Sequence, residues 1–462
     1  MPELPEVQTV ISTLQQQMGH PTITKVRVIY PRIIANGSPE CFCAALKGQK
    51  IESYGRRGKF LLFQLTDYLL VAHLRMEGKF YYFHQDEKPD KHTHLIFDLD
   101  NGQLHYNDVR KFGRFYLYKK DEAPECLQKL GPEPFSDELT AGFLKRYCHN
   151  SHTPIKSQLL DQNMIAGIGN IYANEICFAC RLDPLRPCGF ISYEKWEEII
   201  RQTRRILGEA IEAGGTTIRS YTSSLGVTGL FQQNLFVQSR QGEECRLCGA
   251  TIEKTRVAGR GTYYCPCCQK PEPIVIAITG SIGSGKSEVS AYLQNRGCQV
   301  ISCDAVNSEL LEQQSCRRDL CEIVGCPEEQ FSRQLIASRI FADEKLRREV
   351  EAYLHEQIWQ RISQWISENQ TKKYLFAEVP LLFETGWDRR FDYSLLVHAP
   401  EDQLYLRLQK DRGMEPKQIR ERLASQMSVQ EKLKLCDQAI LNDGTLKKLQ
   451  QSVESFLAKL PQ

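Results

Sequence analysis

The chain has 462 residues, a length that predicts about three or more domains at roughly 100–200 residues each. Its hydrophobic content of 41 % and charged content of 25 % are ordinary for a globular protein. No apolar run reaches the roughly 18 residues of a membrane span, and the N-terminus lacks the basic and apolar regions of a signal peptide. We therefore expect a cytoplasmic protein with no membrane partner. Residues 1–272 hold 34 Lys+Arg and 30 Asp+Glu, a difference of +4 that is only weak support for nucleic-acid binding.

Strand-like stretches dominate the first 130 residues, and helical spacing dominates the next hundred. Residues 59–65 and 79–83 have the pattern of strands, whereas residues 193–213 repeat apolar positions at helical spacing. We predict a β-rich domain over residues 1–130 and a helical domain over residues 131–235.

Four cysteines near residue 250 have the spacing of a zinc ribbon. Cys245 and Cys248 form one CxxC pair, and Cys265 and Cys268 form a second pair after sixteen intervening residues. Two such pairs on a hairpin provide the four thiolates that Zn²⁺ takes in a closed structural site. We predict one structural zinc ion in a finger over residues 236–270, with Arg260 on the hairpin suited to holding a phosphate group.

The pattern changes after residue 272. A short joint at residues 271–273 precedes the apolar run 274–278, which has the character of a buried parallel strand. Short apolar runs then alternate with amphipathic helical segments to the end of the chain. This alternation predicts an α/β domain with a parallel sheet over residues 274–462.

A complete phosphate-binding motif follows the first strand of that domain. Residues 280–287 match GxxxxGK[ST] and open a helix, which is the context that the motif requires. Its backbone N–H groups hold the phosphates of ATP, its lysine neutralises them, and its final serine binds Mg²⁺. We predict that the ATP-binding residues are Gly283, Ser284, Gly285, Lys286 and Ser287. The motif alone does not choose among nucleotide-dependent enzymes.

The N-terminus offers a nucleophile. Removal of Met1 would expose the secondary amine of Pro2, and an α-amino group has a pKa near 7.7–8.0, roughly two units below that of lysine. At neutral pH a larger fraction of this amine than of a lysine amine is therefore unprotonated and nucleophilic. The neighbouring Glu3 can act as an acid or a base. By spacing alone, Pro2 is more simply explained as a chain end without a catalytic role.

Residues 1–7, together with the four cysteines, resemble the formamidopyrimidine-DNA glycosylase family. The resemblance covers essentially all of residues 1–270, and residues 159–175 resemble the family's helix-two-turn-helix with its Gly-rich turn. It implies a β-sandwich-like catalytic domain, a helical DNA-binding domain and a zinc finger. The implied activity is excision of oxidised purines from double-stranded DNA through a Schiff base on Pro2, followed by β,δ-elimination.

The resemblance also implies roles for individual residues. Glu3 would donate a proton, Lys59 would assist β-elimination, and Arg260 would assist δ-elimination. The residues expected to contact the DNA backbone are His73, His92, Lys156 and Asn170. His152 stands where the family usually has a lysine or arginine, and we expect it to be a further DNA contact.

The resemblance implies that three side chains fill the gap left by an extruded base: Met76, Arg110 and Phe112. An apolar wedge with an arginine suits this task, because base flipping loses a few kcal/mol of stacking. Residues 215–229 fit the loop that covers the extruded base. These features favour an oxidised-purine enzyme over the related pyrimidine-directed branch.

Residues 274–455 resemble dephospho-CoA kinase. Asp304 matches the second Asp of the family's Asp-Ala-Asp segment and is expected to bind Mg²⁺ or to polarise the substrate hydroxyl, whereas Ser302 replaces the first Asp. Arg412, in an Asp-Arg order that reverses the family's, is expected to reach the ATP phosphates. The implied reaction moves the γ-phosphoryl group of ATP to the ribose 3′-hydroxyl of dephospho-CoA.

The favoured interpretation is a bifunctional enzyme with two separate active sites. One alternative is a zinc-ribbon DNA-binding protein whose degenerate kinase half serves as an ATP-gated module. Intact Pro2, Glu3 and Lys59 argue against its first half, and intact Lys286, Ser287 and Asp304 argue against its second. A second alternative is a C-terminal half that phosphorylates a different small molecule.

Overall fold

A computed structural model describes residues 2–216 and 231–461, without the side chains of residues 342, 411 and 412. The chain forms two compact units. The first comprises Met1–Cys148, Thr153–Cys188 and Lys195–Pro271, and the second comprises His149–His152, Gly189–Glu194 and Glu272–Gln462. Among the described helices, none combines the length and the apolar character that crossing a bilayer requires.

The first unit begins with two helices and two antiparallel sheets. Their elements are α1 (Leu4–Met18), β1 (Ile23–Val28), α2 (Pro39–Leu46), β2 (Ile51–Arg57), β3 (Phe60–Leu65), β4 (Tyr68–His73), β5 (Lys79–Phe83), β6 (Thr93–Leu99), β7 (Gly102–Asn107) and β8 (Arg114–Lys119). The sheets have the strand orders β1-β6-β7-β5 and β2-β3-β4-β8.

Alternating apolar residues of both sheets pack together in one core, and the apolar face of α1 packs against the same core. In this core the rings of Phe63 and Phe115 each lie 6.0 Å from that of Phe80, edge to face. The sandwich-like fold predicted for this region is confirmed.

The rest of the first unit is helical and ends in a hairpin. Its elements are α3 (Glu125–Gln128), α4 (Ala141–Tyr147), α5 (Ile155–Gln158), α6 (Asn170–Ala179), α7 (Tyr193–Glu212) and the antiparallel strands β9 (Glu253–Val257) and β10 (Arg260–Tyr264). Helix α7 buries Trp196, Ile199 and Ile206 at helical spacing, which is the pattern its prediction rested on. The split of residues 1–270 into three domains stays a prediction.

The second unit alternates strands and helices. Its elements are β11 (Ile274–Thr279), α8 (Lys286–Asn295), β12 (Gln299–Ser302), α9 (Cys303–Leu310), α10 (Gln314–Val324), α11 (Arg333–Ala342), α12 (Glu344–Glu368), β13 (Tyr374–Glu378), β14 (Tyr393–His398), α13 (Glu401–Arg412), α14 (Pro416–Ala424), α15 (Val429–Leu435), β15 (Gln438–Leu441) and α16 (Leu446–Leu457).

These strands form one parallel sheet in the order β12-β13-β11-β14-β15, which confirms the predicted α/β class. The central strand β11 is buried along its whole length. The loop between β11 and α8 carries the phosphate-binding motif, at the carboxyl end of the sheet where ligands bind in such folds.

Candidate active sites and zinc centre

Glu3 begins helix α1 and is almost fully buried, directly after the buried Pro2. Its backbone N–H donates to the Glu6 carboxylate at 2.8 Å, one half of a reciprocal capping box. The Glu3 carboxylate itself accepts N–H groups of Gly169 at 2.7 Å and Ile171 at 2.9 Å. It therefore lies at the amino-terminal end of α6, where the helix dipole favours negative charge.

Lys59 lies in the turn between β2 and β3, and its side chain is buried. Its Nζ atom donates to the carbonyl oxygen of Ile168 at 2.8 Å. Burial lowers the pKa of Lys59 to about 8, against the opposing effect of Glu3 and with the help of Arg260. Burial likewise raises the pKa of Glu3 to about 6, against Lys59. An acid and an amine whose pKa values flank neutrality are suited to proton transfer.

The Gly-rich turn before α6 lets the N-terminal residues approach closely. A Cβ atom at Gly169 would lie 2.2 Å from Cδ of Glu3, and a Cβ atom at Gly167 would lie 2.6 Å from Cδ1 of Leu4. Gly167 also has φ of +95°, a conformation that L side chains rarely adopt. The turn therefore needs glycine to hold the acid in place.

Lys156 and Asn170 together hold the tip of the β9–β10 hairpin. The fully buried Lys156 donates from Nζ to Asn170 Oδ1 at 2.7 Å and to the Gly261 carbonyl at 3.3 Å. Asn170 Nδ2 donates to the same carbonyl at 3.1 Å. Burial lowers the pKa of Lys156 to about 8, with Arg260 acting in the same direction. These residues, predicted to bind DNA, thus anchor the hairpin next to the exposed Arg260.

The four predicted zinc ligands converge at the base of the hairpin. The Sγ atoms of Cys245, Cys248, Cys265 and Cys268 all lie within 4.8 Å of one another. The Cys248–Cys265 distance is 3.4 Å and the Cys245–Cys268 distance is 3.9 Å. Zn–S bonds of about 2.3 Å in a tetrahedron require sulfur separations of about 3.8 Å, so the cluster fits the ion.

A buried glutamate that the sequence reasoning passed over ties the segment before the zinc finger to α6. The Glu175 carboxylate accepts three backbone N–H groups, from Phe236 at 2.8 Å, Val237 at 3.0 Å and Gln238 at 2.8 Å. The backbone of residues 236–238, which leads into the zinc finger, is therefore fixed against α6. Burial raises the pKa of Glu175 against these hydrogen bonds.

The three predicted DNA-contacting histidines differ in their surroundings. His73 ends β4, and its Nδ1 accepts the Arg75 N–H at 2.9 Å. Burial, together with Arg75 and Lys59, lowers its pKa to about 3, so the ring is neutral with a donor at Nε2. His92 is half-buried just before β6. His152 is exposed, and its ring lies 5.7 Å from that of Phe190 within the second compact unit.

The three predicted gap-filling side chains lie on two turns. Met76 and Phe112 are 39 % and 48 % exposed, so both apolar side chains are accessible to a partner. The Arg110 guanidinium lies 4.8 Å from the centre of the Phe112 ring. Met76 and Phe112 line one open cavity. Of the predicted covering loop, residues 217–229 lie outside the described part of the chain.

Two side chains of the second unit donate hydrogen bonds to the backbone carbonyls of the phosphate-binding loop. Asn442 Nδ2 donates to the Ser284 carbonyl at 2.9 Å, and Arg407 donates to the carbonyls of Gly283 at 3.4 Å and Asn442 at 3.0 Å. Gly285 has φ of +100°, and a Cβ atom there would lie 2.3 Å from Asn442 Nδ2. Lys286 Nζ donates to the carbonyls of the loop itself. Neither Asn442 nor Arg407 belongs to the motif.

Ser287, at the start of α8, contacts a carboxylate at the end of β13. Ser287 Oγ donates to Glu378 Oε1 at 3.1 Å, and Glu378 ends β13 opposite Ser302 of β12. Asp304 is exposed in the first turn of α9, and both it and Glu378 add to burial in raising the pKa of Cys303. The hydroxyl and the two carboxylates are the ligand types that Mg²⁺ prefers. Glu378 was missed, although an acidic residue after a buried strand was a usable signal.

Arg412 is the last residue of α13, and its side chain lies outside the described part of the chain. The segment after β13 carries Glu384, which accepts the Met427 N–H at 3.0 Å and pairs with Lys432 Nζ at 2.8 Å. Lys432 is fully buried. The Glu384 carboxylate thus joins the loop after β13 to α15 and the segment before it.

Four family models match the chain in succession. Residues 1–115 match the formamidopyrimidine-DNA glycosylase N-terminal domain, residues 130–222 match the H2TH domain of the same family, and residues 242–271 match the zinc finger found in FPG and IleRS. Residues 274–448 match dephospho-CoA kinase.

Curated relatives and solved structures agree with the first three matches. The formamidopyrimidine-DNA glycosylase of Bacillus cereus is 47 % identical over 273 residues, which are 58 % of this chain and 99 % of the relative. The chain belongs to the formamidopyrimidine-DNA glycosylase family. The glycosylase of Bacillus subtilis is 46 % identical over 274 residues, again 58 % of this chain and 99 % of the relative.

Two structures from Lactococcus lactis resemble the glycosylase region at 38 % identity and 58 % of this chain. One is an FPG mutant bound to DNA containing Fapy-dG, covered completely with a TM-score of 0.56. The other is FPG bound to DNA containing an abasic site, covered to 99 % with a TM-score of 0.55. The polypeptide thus joins a DNA repair glycosylase/lyase with a zinc finger to a dephospho-CoA kinase domain.

Proposed function

We propose that the glycosylase excises oxidised purines such as 8-oxoguanine and formamidopyrimidine from double-stranded DNA in the cytoplasm, and that Pro2 is its nucleophile. With Met1 removed, the Pro2 nitrogen would bond to C1′ of the damaged nucleotide as the bond from C1′ to the base breaks. The proton released from the Pro2 nitrogen would pass to the departing base, and Glu3 would then protonate the ring oxygen O4′ as the C1′–O4′ bond breaks. The resulting Schiff base makes the sugar susceptible to elimination.

Lys59 and Arg260 would act on the phosphates of the same nucleotide. Lys59 would assist β-elimination and Arg260 δ-elimination, so that both flanking phosphate bonds are broken. Arg260 lies close enough to Lys59 and Lys156 to lower the pKa of both, and a local cluster of cations suits contact with DNA phosphates. A neutral His73 would add a hydrogen bond without further charge.

The observation that carries this proposal is the buried Glu3 carboxylate, held directly after Pro2 by the N–H groups of Gly169 and Ile171. A carboxyl group held at a fixed place beside the chain end is the arrangement that a proton donor acting with a nucleophile on Pro2 requires. Borohydride reduction during incubation with an 8-oxoguanine duplex tests it. We expect a covalent protein–DNA adduct with the wild type and none with N-terminally acetylated Pro2→Gly protein, and equal yields would refute the assignment.

We further propose that the kinase domain phosphorylates the ribose 3′-hydroxyl of dephospho-CoA. Lys286 and the loop N–H groups would hold the ATP phosphates, and Ser287, Asp304 and Glu378 would hold Mg²⁺. The metal would neutralise the charge that develops on the phosphoryl oxygens. Glu384 would shape the acceptor site rather than contact the reacting atoms, since its carboxylate is already engaged.

Incubation of the full chain with ATP and either dephospho-CoA or a panel of nucleoside monophosphates tests the acceptor. We expect coenzyme A as the main product and phosphorylation of the monophosphates at a rate at least about a hundredfold lower. Faster transfer to any monophosphate would instead support a different small-molecule kinase.

A further inference from the structure

Asp108 lies at the start of the turn that carries Arg110 and Phe112, yet its own side chain is almost fully buried. Its Oδ1 atom accepts the Arg110 N–H at 3.0 Å, and its Oδ2 atom accepts the N–H groups of Phe112 and Gly113, each at 2.8 Å. One carboxylate therefore accepts three backbone N–H groups of a single turn. Lys111, inside the turn, has φ of +59°, a conformation that needs such support in a non-glycine residue.

The backbone of Asp108 is also held in place. Its N–H donates to the His92 carbonyl at 3.0 Å, and its carbonyl accepts a hydrogen bond from the buried His94 ring at 2.8 Å. The base of the turn is thus fixed to β6, while the side chains of residues 109–112 at its tip are exposed. A fixed base with an exposed apolar tip is the arrangement expected of a wedge.

Tyr106 connects this turn to the one that carries Met76. Its ring is fully buried, and its hydroxyl lies 3.5 Å from Asp108 Oδ2. A Cβ atom at Gly113 would lie 1.9 Å from that hydroxyl oxygen, and a Cβ atom at Gly78 would lie 2.1 Å from it. The tyrosine therefore packs against the end of each turn at a point where only glycine fits.

We propose that Asp108 and Tyr106 are positioning residues that set the two turns at a fixed spacing, so that Met76, Arg110 and Phe112 enter the duplex as one unit. The inference rests on the proposed function, in which these three side chains replace an extruded base. Asp108 and Tyr106 would not touch DNA. Their effect would appear in the step that opens the base stack rather than in the chemistry at Pro2.

The test uses Asp108→Asn and Tyr106→Phe in the full chain. An asparagine in place of Asp108 turns an NH₂ group toward at least one of the three N–H donors, whichever way it is oriented. Matched controls are Asp98→Asn on β6, which alters a carboxylate paired with Arg27, and Tyr82→Phe on β5, which removes a hydroxyl bonded to Asn101.

Two substrates separate positioning from chemistry. For an 8-oxoguanine duplex, we expect Asp108→Asn to lower the single-turnover excision rate about tenfold or more, with a smaller effect of Tyr106→Phe and little change in KM. For a duplex with a preformed abasic site, which has no base to extrude, we expect borohydride adduct formation within about twofold of wild type. A fluorescent cytosine analogue opposite the lesion should brighten less with the variants than with the wild type.

The outcomes are distinguishable. If the wild type forms no adduct on either duplex, the proposed function fails. If the wild type reacts and Asp108→Asn matches Asp98→Asn on both duplexes, the positioning role is refuted. Equal losses on both duplexes would also refute it, because they would assign Asp108 a general structural role.

Discussion

Lys59 and Glu3 bind opposite ends of one peptide group: Lys59 Nζ donates to the Ile168 carbonyl at 2.8 Å, and Glu3 Oε2 accepts the Gly169 N–H at 2.7 Å. The two groups come from separate parts of the chain, and a third segment holds both. The position of the acid relative to the amine therefore depends on the turn before α6. Substitutions in this turn should therefore change the rate of the reaction at Pro2.

Gly169→Ala tests this dependence. Its Cβ atom would lie 2.2 Å from Cδ of Glu3, so the carboxyl group must move. We expect the excision rate to fall by about a hundredfold, since small displacements of reacting groups are costly. The added strain should also lower the free energy of unfolding by roughly 1–3 kcal/mol.

Gly208→Ala in helix α7 is the matched control. No heavy atom lies within 4 Å of its added Cβ, and alanine favours helix over glycine by roughly 0.5–1 kcal/mol. Single-turnover kinetics and calorimetry on both variants check the pair. Unchanged excision by Gly169→Ala would mean that the turn does not position Glu3.

The burial of Glu3 predicts a pH dependence of stability. Its pKa is about 6 in the folded chain against an ordinary value of 4.5, so the folded state binds this proton more tightly. The stability it contributes is present below pH 4.5 and is lost as the pH rises through 6. We expect the free energy of unfolding of the wild type, relative to Glu3→Gln, to fall by about 2 kcal/mol between about pH 4 and pH 7.

Calorimetry of both proteins across this range measures the difference. The lowered pKa of Lys59, about 8, makes its contribution to stability vary with pH mainly above that value, so this contribution is nearly constant between about pH 4 and pH 7. If the free energy of unfolding of the wild type, relative to that of Glu3→Gln, rose with pH over this range, the prediction would be wrong.

In the kinase domain, Glu378→Gln should weaken metal binding. The substitution removes the charge beside Ser287 but keeps an oxygen for its hydrogen bond. We expect kcat to fall by about a hundredfold and the Mg²⁺ concentration for half-maximal rate to rise. The control is Glu454→Gln, which alters a carboxylate bonded to Tyr292 and Arg296. Equal activity of the two variants would exclude Glu378 from the site.

Loss of zinc should affect only the glycosylase. Cys248→Ser removes one thiolate, and a structural zinc site commonly unfolds without its metal. Gly261 would then no longer be held against Lys156 and Asn170, and Arg260 would lose its place. We expect zinc content to fall to near zero and affinity for lesion DNA to drop at least about tenfold, with unchanged coenzyme A formation. Metal analysis and binding titrations check this, and unaltered DNA affinity would count against it.

Several features followed from the sequence because short motifs specify them. Two CxxC pairs have few uses other than a metal, and the run from Ile274 to Lys286 contains both the buried strand and the loop that must follow it. The alternation of apolar runs in the second half likewise allows few folds. In such cases, the spacing of residues along the chain is enough to predict the local structure and the fold class.

Other residues had no such signal. Asp108 and Glu175 are single carboxylates whose importance lies in backbone N–H groups brought to them by folding. The partners of Asn442 and Lys156 are likewise distant in sequence, at Ser284 and Gly261. Spacing along a chain does not report such contacts, because they depend on which loops the packed sheets bring together.

The central claim is that one polypeptide contains two independent active sites. It is tested most directly by measuring borohydride adduct formation and coenzyme A formation on the same preparations of Lys286→Met and of N-terminally acetylated Pro2→Gly. We predict that the first variant keeps the adduct and loses coenzyme A formation, and that the second does the reverse. Loss of both activities in either variant, or loss of neither, would contradict the claim.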